Sequence, residues 1–271
     1  MSKVHVNGID LNYKTVGEGR ETIVFSHGCL MNNSMFDGQI DVLKSQFKCI
    51  SFDHRGHGQS DAPMSGYDMD NLVDDAIASI EAIDCGPVHF IGMSTGGFVG
   101  MRIALRRPEL IKSLVLMDTS AEGEDEKALK KNNLLLWMVR HFGWWPVIGQ
   151  ALPIMFHKTF LKDPSRQEEV KKWKRIVTGH NKMALWHFGK GIFARDNVLS
   201  KLSSISCPTA VVVGEEDIAT RPDCSERMAQ EIPGALLFKV ADAGHSAAIE
   251  KPQEVANAIL SFYKDSQIIQ S

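Results

Sequence analysis

Two hydrophobic rhythms alternate along the first part of the chain. Compact apolar runs at Thr22–Ser26, Lys48–Phe52, Val88–Met93 and Lys112–Met117 have the length of buried strands. Between them apolar residues recur at helical spacing. From Asp68 to Ile83 they fall at Leu72, Val73, Ala76, Ile77, Ile80 and Ile83, with acids on the other face. A second such pattern starts directly after residue 97, at Phe98, Val99, Met101, Ile103, Ala104 and Leu105, and a helix is also expected near Met35–Phe47. Residues 3–6 and 9–15 form two strands around Asn7-Gly8, a strong hairpin signal. Strands alternating with helices predict an α/β fold, a doubly wound, mostly parallel sheet with right-handed crossovers and helices on both faces.

The rhythm breaks near residue 121. Residues 121–204 contain no convincing strand, several helical patterns and all five tryptophans (137, 144, 145, 173 and 186). Asp163-Pro164 has the form of an N-cap followed by proline at the first helical position, and Val170, Trp173, Ile176 and Val177 share one face of the helix beyond it. Strand and helix then return, with strands at Thr209–Val213 and Ala235–Val240, a helix near Ser225–Glu231 and a last helix from Pro252. The expected organisation is a core of residues 1–120 and 205–271 with a helical cap, 121–204, inserted over the carboxyl ends of the strands, where ligands bind in such sheets.

The apolar run through Leu134–Val139 is interrupted by Arg140 and His141, well short of the roughly 20 residues of a membrane span. A stable membrane insertion is therefore not expected. An interfacial amphipathic helix beside Lys130 and Lys131 stays open as an alternative. Composition changes little in this picture: 271 residues, 44% hydrophobic and 23% charged, describe an ordinary globular protein. A net charge of −3 gives no pull toward nucleic acid. No apolar leader is apparent at the N-terminus, and five cysteines without CxxC pairs suggest reduced thiols, so a cytoplasmic protein is expected.

Chemistry concentrates where strand meets helix at Gly92-Met93-Ser94-Thr95-Gly96. A serine on so sharp a turn has a strained backbone that exposes its hydroxyl, and small flanking residues avoid collision with the neighbouring strand or helix. The Thr95 amide, at a helix N-terminus, points toward the place where an oxyanion would form. A nucleophilic serine needs a base and the base needs an orienting acid. His245 fits as base, in the loop Ala241-Asp242-Ala243-Gly244 after a strand. Asp217, after strand 209–213, fits as acid. Asp118, at the end of strand 112–117, is its rival, and Asp217 is preferred because the order Ser, Asp, His matches such elbows. Glu215 and Glu216 read as solvated loop charges. Asp53, His54, His57 and Asp61 lack a recognised metal-ligand spacing, and Gly56-x-Gly58 lacks the third glycine of a dinucleotide loop. No metal and no cofactor is expected.

These residues resemble the α/β-hydrolase superfamily over nearly the whole chain. Phe25-Ser26-His27-Gly28 resembles the segment before the oxyanion residue, which implies an oxyanion hole from the backbone amides of Cys29 and Thr95. Asp53-x-Arg55-Gly56-x-Gly58-x-Ser60 resembles a loop at the mouth of such sites. Gly-Met-Ser-Thr-Gly-Gly and Gly244-His245 are similar to small esterases, haloperoxidase-like enzymes and 3-oxoadipate enol-lactonases, and the last third resembles the enol-lactonase branch most. Serine at the elbow separates the chain from relatives with an aspartate nucleophile. The resemblance implies a serine carboxylesterase acting on a small-molecule ester, with a lactonase as the nearest alternative. An aminopeptidase would need an acidic pocket, for which Glu122, Glu124, Asp125 and Glu126 are available. A non-catalytic small-ligand receptor on the same fold is the alternative of another class. Cys29 is expected to act through its backbone alone, and the tryptophans to serve packing more than ligand contact. Arg140, Arg175 and Arg195 form no conspicuous cluster to clamp a dicarboxylate.

Overall fold

The computed structural model describes residues 2–269. Eight strands make one sheet: β1 (Ser2–Val6), β2 (Ile9–Val16), β3 (Glu21–Ser26), β4 (Phe47–Phe52), β5 (Val88–Met93), β6 (Ile111–Met117), β7 (Thr209–Gly214) and β8 (Leu236–Val240). Their order is β1-β2-β4-β3-β5-β6-β7-β8. Only the pairs β1/β2 and β2/β4 are antiparallel; every other pair is parallel. Asn7 and Gly8 turn the first hairpin with φ of +48° and +77°, the two left-handed positions that a type I′ turn needs.

The helices are α1 (Asp37–Leu43), α2 (Met69–Ala82), α3 (Thr95–Arg106), α4 (Glu126–Phe142), α5 (Ile148–Met155), α6 (Lys158–Lys162), α7 (Gln167–Gly179), α8 (Lys182–Phe193), α9 (Pro222–Glu231), α10 (Ala247–Glu250) and α11 (Pro252–Asp265). Alternation along the strands sends Val24, Phe90, Leu114 and Val211 to a layer with α2, α3 and α9. Ile23, Phe25, Ile91, Val115 and Val212 pack on the other face with α1 and α11. Both faces are thus covered, as a parallel sheet requires. Asp68 caps α2 by accepting a hydrogen bond from Asn71 N at 3.0 Å.

Some boundaries differ from expectation. The helix expected over Met35–Phe47 is a 3-10 turn at Asn33–Phe36 followed by α1, which stops at Leu43. Asn32 caps that turn through Ser34 N, and Phe47 is drawn into β4, where it pairs with Glu21 and is buried. Strand pairing also extends β3 back to Glu21 and β6 back to Ile111. The helix expected from Ser225 begins at Pro222, whose fixed φ suits a first helical turn. Asp163 does cap Pro164, but the result is a short 3-10 turn before α7. On α7, Trp173 and Val177 are buried and Val170 and Ile176 are half-buried beside the core.

Between β6 and β7 lie α4 to α8, with no strand among the described residues there. Helices α4, α5 and α8 share a small apolar cluster around Val139, Val147, Ala151 and Leu185. Leu134, Trp137, Phe142 and Trp145 remain exposed on the outside. No helix among the described residues is long and apolar enough to cross a membrane.

Candidate active site

The strand order brings the carboxyl ends of β5, β6 and β7 side by side, and three sequence-distant side chains meet above them. Ser94 follows β5 directly, with φ of +51° and its amide held by Met117 O at 2.9 Å. Thr119 Oγ1 donates to Ser94 O at 2.8 Å, so the strained peptide is fixed on both sides. Glycine at 92 and 96 is a steric necessity. A Cβ at Gly92 would stand 2.2 Å from Gly96 O, and one at Gly96 would stand 1.9 Å from Ser26 O on β3.

His245 Nε2 lies 3.1 Å from Ser94 Oγ, and its Nδ1 lies 2.9 Å from Asp217 Oδ2. All three residues are buried. With the Nδ1 proton donated to the carboxylate, the Nε2 lone pair faces the serine hydroxyl, the tautomer a general base requires. Asp217 is itself fixed: Oδ1 accepts from Ala219 N and Thr220 N, and Oδ2 accepts from Thr220 Oγ1 at 2.8 Å. Thr220 Oγ1 also stands 3.3 Å from His245 Nδ1. Glu215 and Glu216 point to solvent.

Asp118 does not meet the imidazole. Its Oδ1 accepts from Gly214 N at 2.8 Å and its Oδ2 from Ala247 N at 3.1 Å. Burial, reinforced by the neighbouring Asp217 charge, raises its pKa well above the usual carboxylate range. Glu250, which sequence reasoning passed over, is a second buried carboxyl raised by burial. It accepts from Gly244 N at 3.1 Å and Ser246 N at 3.3 Å, around His245, and from His157 N at 2.9 Å.

The loop after β3 lies against the elbow, since a Cβ on Gly28 would come 3.2 Å from Ser94 Cβ. Among the described residues, neither the Cys29 amide nor the Thr95 amide has a hydrogen-bond acceptor. Both Cys29 and Ser94 line one cavity. Burial pushes the Cys29 thiol up to about 12, so it stays protonated. Leu30, next along, has φ of +69° and is held by two imidazoles. Leu30 N donates to His57 Nε2 at 3.3 Å, and His180 Nε2 donates to Leu30 O at 2.8 Å. Buried His27, His54 and His57 and half-buried His180 pack ring against ring, edge-on or tilted, with centroids 4.6–5.4 Å apart from one to the next. Burial lowers the pKa of each. Asp53 accepts from Asn33 N, Asn12 Nδ2 and Gln59 N, which accounts for it as a loop-organising carboxylate. The Arg55 guanidinium pairs with Asp75 through two contacts of 2.6 Å.

Residues 21–252 match the family described as alpha/beta hydrolase fold. The chain belongs to that family. A curated relative within it, 3-oxoadipate enol-lactonase 2 of Acinetobacter baylyi, is 28% identical over 257 residues, 94% of each chain. Among solved structures of alpha/beta hydrolases, an enol-lactonase from Burkholderia xenovorans LB400 superposes with a TM-score of 0.89 at 25% identity, covering 96% of this chain and 99% of the other. A thermophilic esterase from Thermogutta terrifontis has a TM-score of 0.90 at 24% identity, over 98% and 99%, a likeness of fold.

In this alpha/beta hydrolase the cavity above Ser94 measures about 290 Å³. Its walls are mostly apolar, with Leu135, Leu136 and Val139 of α4 and Leu185 and Ile192 of α8 facing Phe98. A hydroxyl, a base and two free amides at the floor of an apolar cavity can attack a carbonyl and hold the resulting oxyanion.

Proposed function

We propose that this protein is a serine hydrolase of carboxylic esters, acting through an acyl-enzyme on Ser94. The observation that carries the reading is the chain Ser94–His245–Asp217, at 3.1 and 2.9 Å, beneath an apolar cavity. Ser94 Oγ attacks the ester carbonyl while His245 Nε2 takes its proton. Asp217 holds the imidazole and stabilises its charged form. The Cys29 and Thr95 amides receive the oxyanion; loss of one such donor typically costs about 3 kcal/mol of barrier. His245 then protonates the departing alcohol, and water cleaves the acyl-enzyme with the same residue as base.

Helices α4 to α8 act as a cap in this reading, supplying the apolar walls that exclude water from the acyl group. Lactones are the second reading, favoured by the name of the relative that matches 94% of the chain. A lactone is an ester whose alcohol stays attached, so the same groups serve it. The five free cysteines favour a cytoplasmic setting.

The test is hydrolysis of 4-nitrophenyl acetate, butyrate and octanoate by the wild type and Ser94→Ala. Saturable turnover that collapses in the variant supports the reading. Equal rates remove Ser94 as nucleophile. Absence of turnover on esters and lactones alike leaves the ligand-receptor alternative.

A further inference from the structure

Resting on the ester-hydrolase reading, we propose that the pocket selects acyl chains uncharged at their far end and rejects chains that end in a carboxylate. The determinant is the pair Glu124–Arg195 in the pocket wall. Arg195 is the buried cation of that wall, with 3% of its side chain exposed. Its Nη1 donates to Glu124 Oε1 at 2.9 Å and to Ile192 O at 3.1 Å. The guanidinium carbon lies over the Phe98 ring, 4.0 Å from its centroid, and Phe98 is one helical turn beyond Ser94. Glu124 is half-buried, with 20% of its side chain exposed, and its second oxygen accepts from Asn132 Nδ2 at 3.5 Å.

The charge of Arg195 is therefore balanced by Glu124 from inside the protein, while its Nε has no partner among the described residues. An incoming carboxylate would have to share one guanidinium with Glu124. That arrangement leaves a net negative charge among Leu135, Leu136 and Ile192, where solvation is poor. Lys131, the other cation of the wall, sits exposed at the mouth, where water screens it. An alkyl chain meets no such obstacle and gains from each methylene buried. The cavity of about 290 Å³ stands at the small end of ligand pockets, with room for about ten non-hydrogen atoms at the ~30 Å³ of a liquid water molecule. A chain of medium length fits. Adipate, the acid in the name of the enol-lactonase relative, is a dicarboxylate, so this pocket separates the chain from that relative in substrate.

The experiment compares 4-nitrophenyl hexanoate with mono-4-nitrophenyl adipate, chains of equal length that differ in a terminal carboxylate. In the wild type, kcat/KM for the hexanoate is expected to exceed that for the hemiadipate by about 100-fold or more. Glu124→Gln, which frees the guanidinium, is expected to narrow that ratio at least about tenfold. Calorimetric binding of both esters to Ser94→Ala gives the same comparison without turnover and without altering the pair. Comparable kcat/KM values, or tighter binding of the hemiadipate to Ser94→Ala, overturn the proposal. If the wild type hydrolyses neither ester, the ester-hydrolase reading falls, and the Ser94→Ala affinities still decide the selectivity.

Discussion

Asp118 and Asp217 follow adjacent parallel strands, close enough for the Asp217 charge to help raise the pKa of Asp118, yet only Asp217 reaches the imidazole. Asp118 instead divides its two oxygens between Gly214 N, which leads into the Asp217 loop, and Ala247 N, which follows His245. One buried carboxyl thus ties together the loops that carry Asp217 and His245. Asp118→Asn presents an amide hydrogen to one of those two donors. The variant is expected to lose about 1–3 kcal/mol of stability, measured by urea unfolding, and to lose kcat as His245 shifts.

On the proposed mechanism Thr220 is a positioning residue for Asp217. Its hydroxyl donates to the same Asp217 oxygen that receives His245 Nδ1. Thr220→Val is expected to lower kcat about tenfold or more with little change in KM, the scale of a hydrogen bond to a charged group. Thr220→Ser, which keeps the hydroxyl, is expected to retain most of kcat. A purely structural role for Thr220 would make Thr220→Val and Thr220→Ser lose stability alike and leave the kcat-against-KM split absent.

Acid should weaken the fold through the buried histidines His27, His54 and His57. His27 falls to about 4 from the ordinary 6.5, and His54 and His57 lie well below it, all through burial. A group whose folded pKa is depressed below its unfolded value binds protons more readily in the unfolded chain. The stability these imidazoles contribute is complete above about pH 6.5 and is lost as the pH falls below it; for His27 the loss runs toward about pH 4 and amounts to about 3 kcal/mol. Asp118 and Glu250, raised by burial, act in the opposite sense. Thermal unfolding of the wild type and His57→Gln across pH 4–8 checks this, with a shallower acid slope expected in the variant.

Two glycine substitutions should separate. Gly96→Ala places a Cβ 1.9 Å from Ser26 O and is expected to prevent folding or abolish activity with a large loss of Tm. Gly149→Ala, in α5 with open space around the new methyl, is expected to be neutral or to raise stability by about 0.4–1 kcal/mol. Expression and melting temperature report both.

Much of the sheet was legible in the sequence, because buried parallel strands are short apolar runs bounded by turns. The hairpin at Asn7-Gly8 and the elbow glycines were legible for the same local reason. The structure brings Ser94, Asp217 and His245 together and leaves Asp118 and the exposed Glu215 and Glu216 apart from the imidazole. Chain order alone had favoured Asp217 over Asp118, and no local pattern distinguishes them. The Asp217 loop was readable only in part: an aspartate accepts readily from the backbone two residues on, as Asp217 does from Ala219 N, but nothing local marks the Thr220 hydroxyl. Glu250 and the histidines around Leu30 carried no readable signal. Leu30 lies 27 and 150 residues from its two histidines, and His157 lies 93 residues from Glu250, so only the folded chain brings them together. The 3-10 turn at Asn33–Phe36 was hidden because the apolar spacing around it also suits a longer helix.

The contact between His180 and Leu30 O joins α7 and α8 to the peptide that follows Cys29. Any outward swing of those helices that admits a substrate must pull on that carbonyl or break its bond. On the proposed mechanism the Cys29 amide, one residue before that carbonyl, would shift with it. Entry to the pocket and the aim of an oxyanion donor would then share one peptide, and a substrate that forces the helices apart would also disturb the group meant to receive its charge.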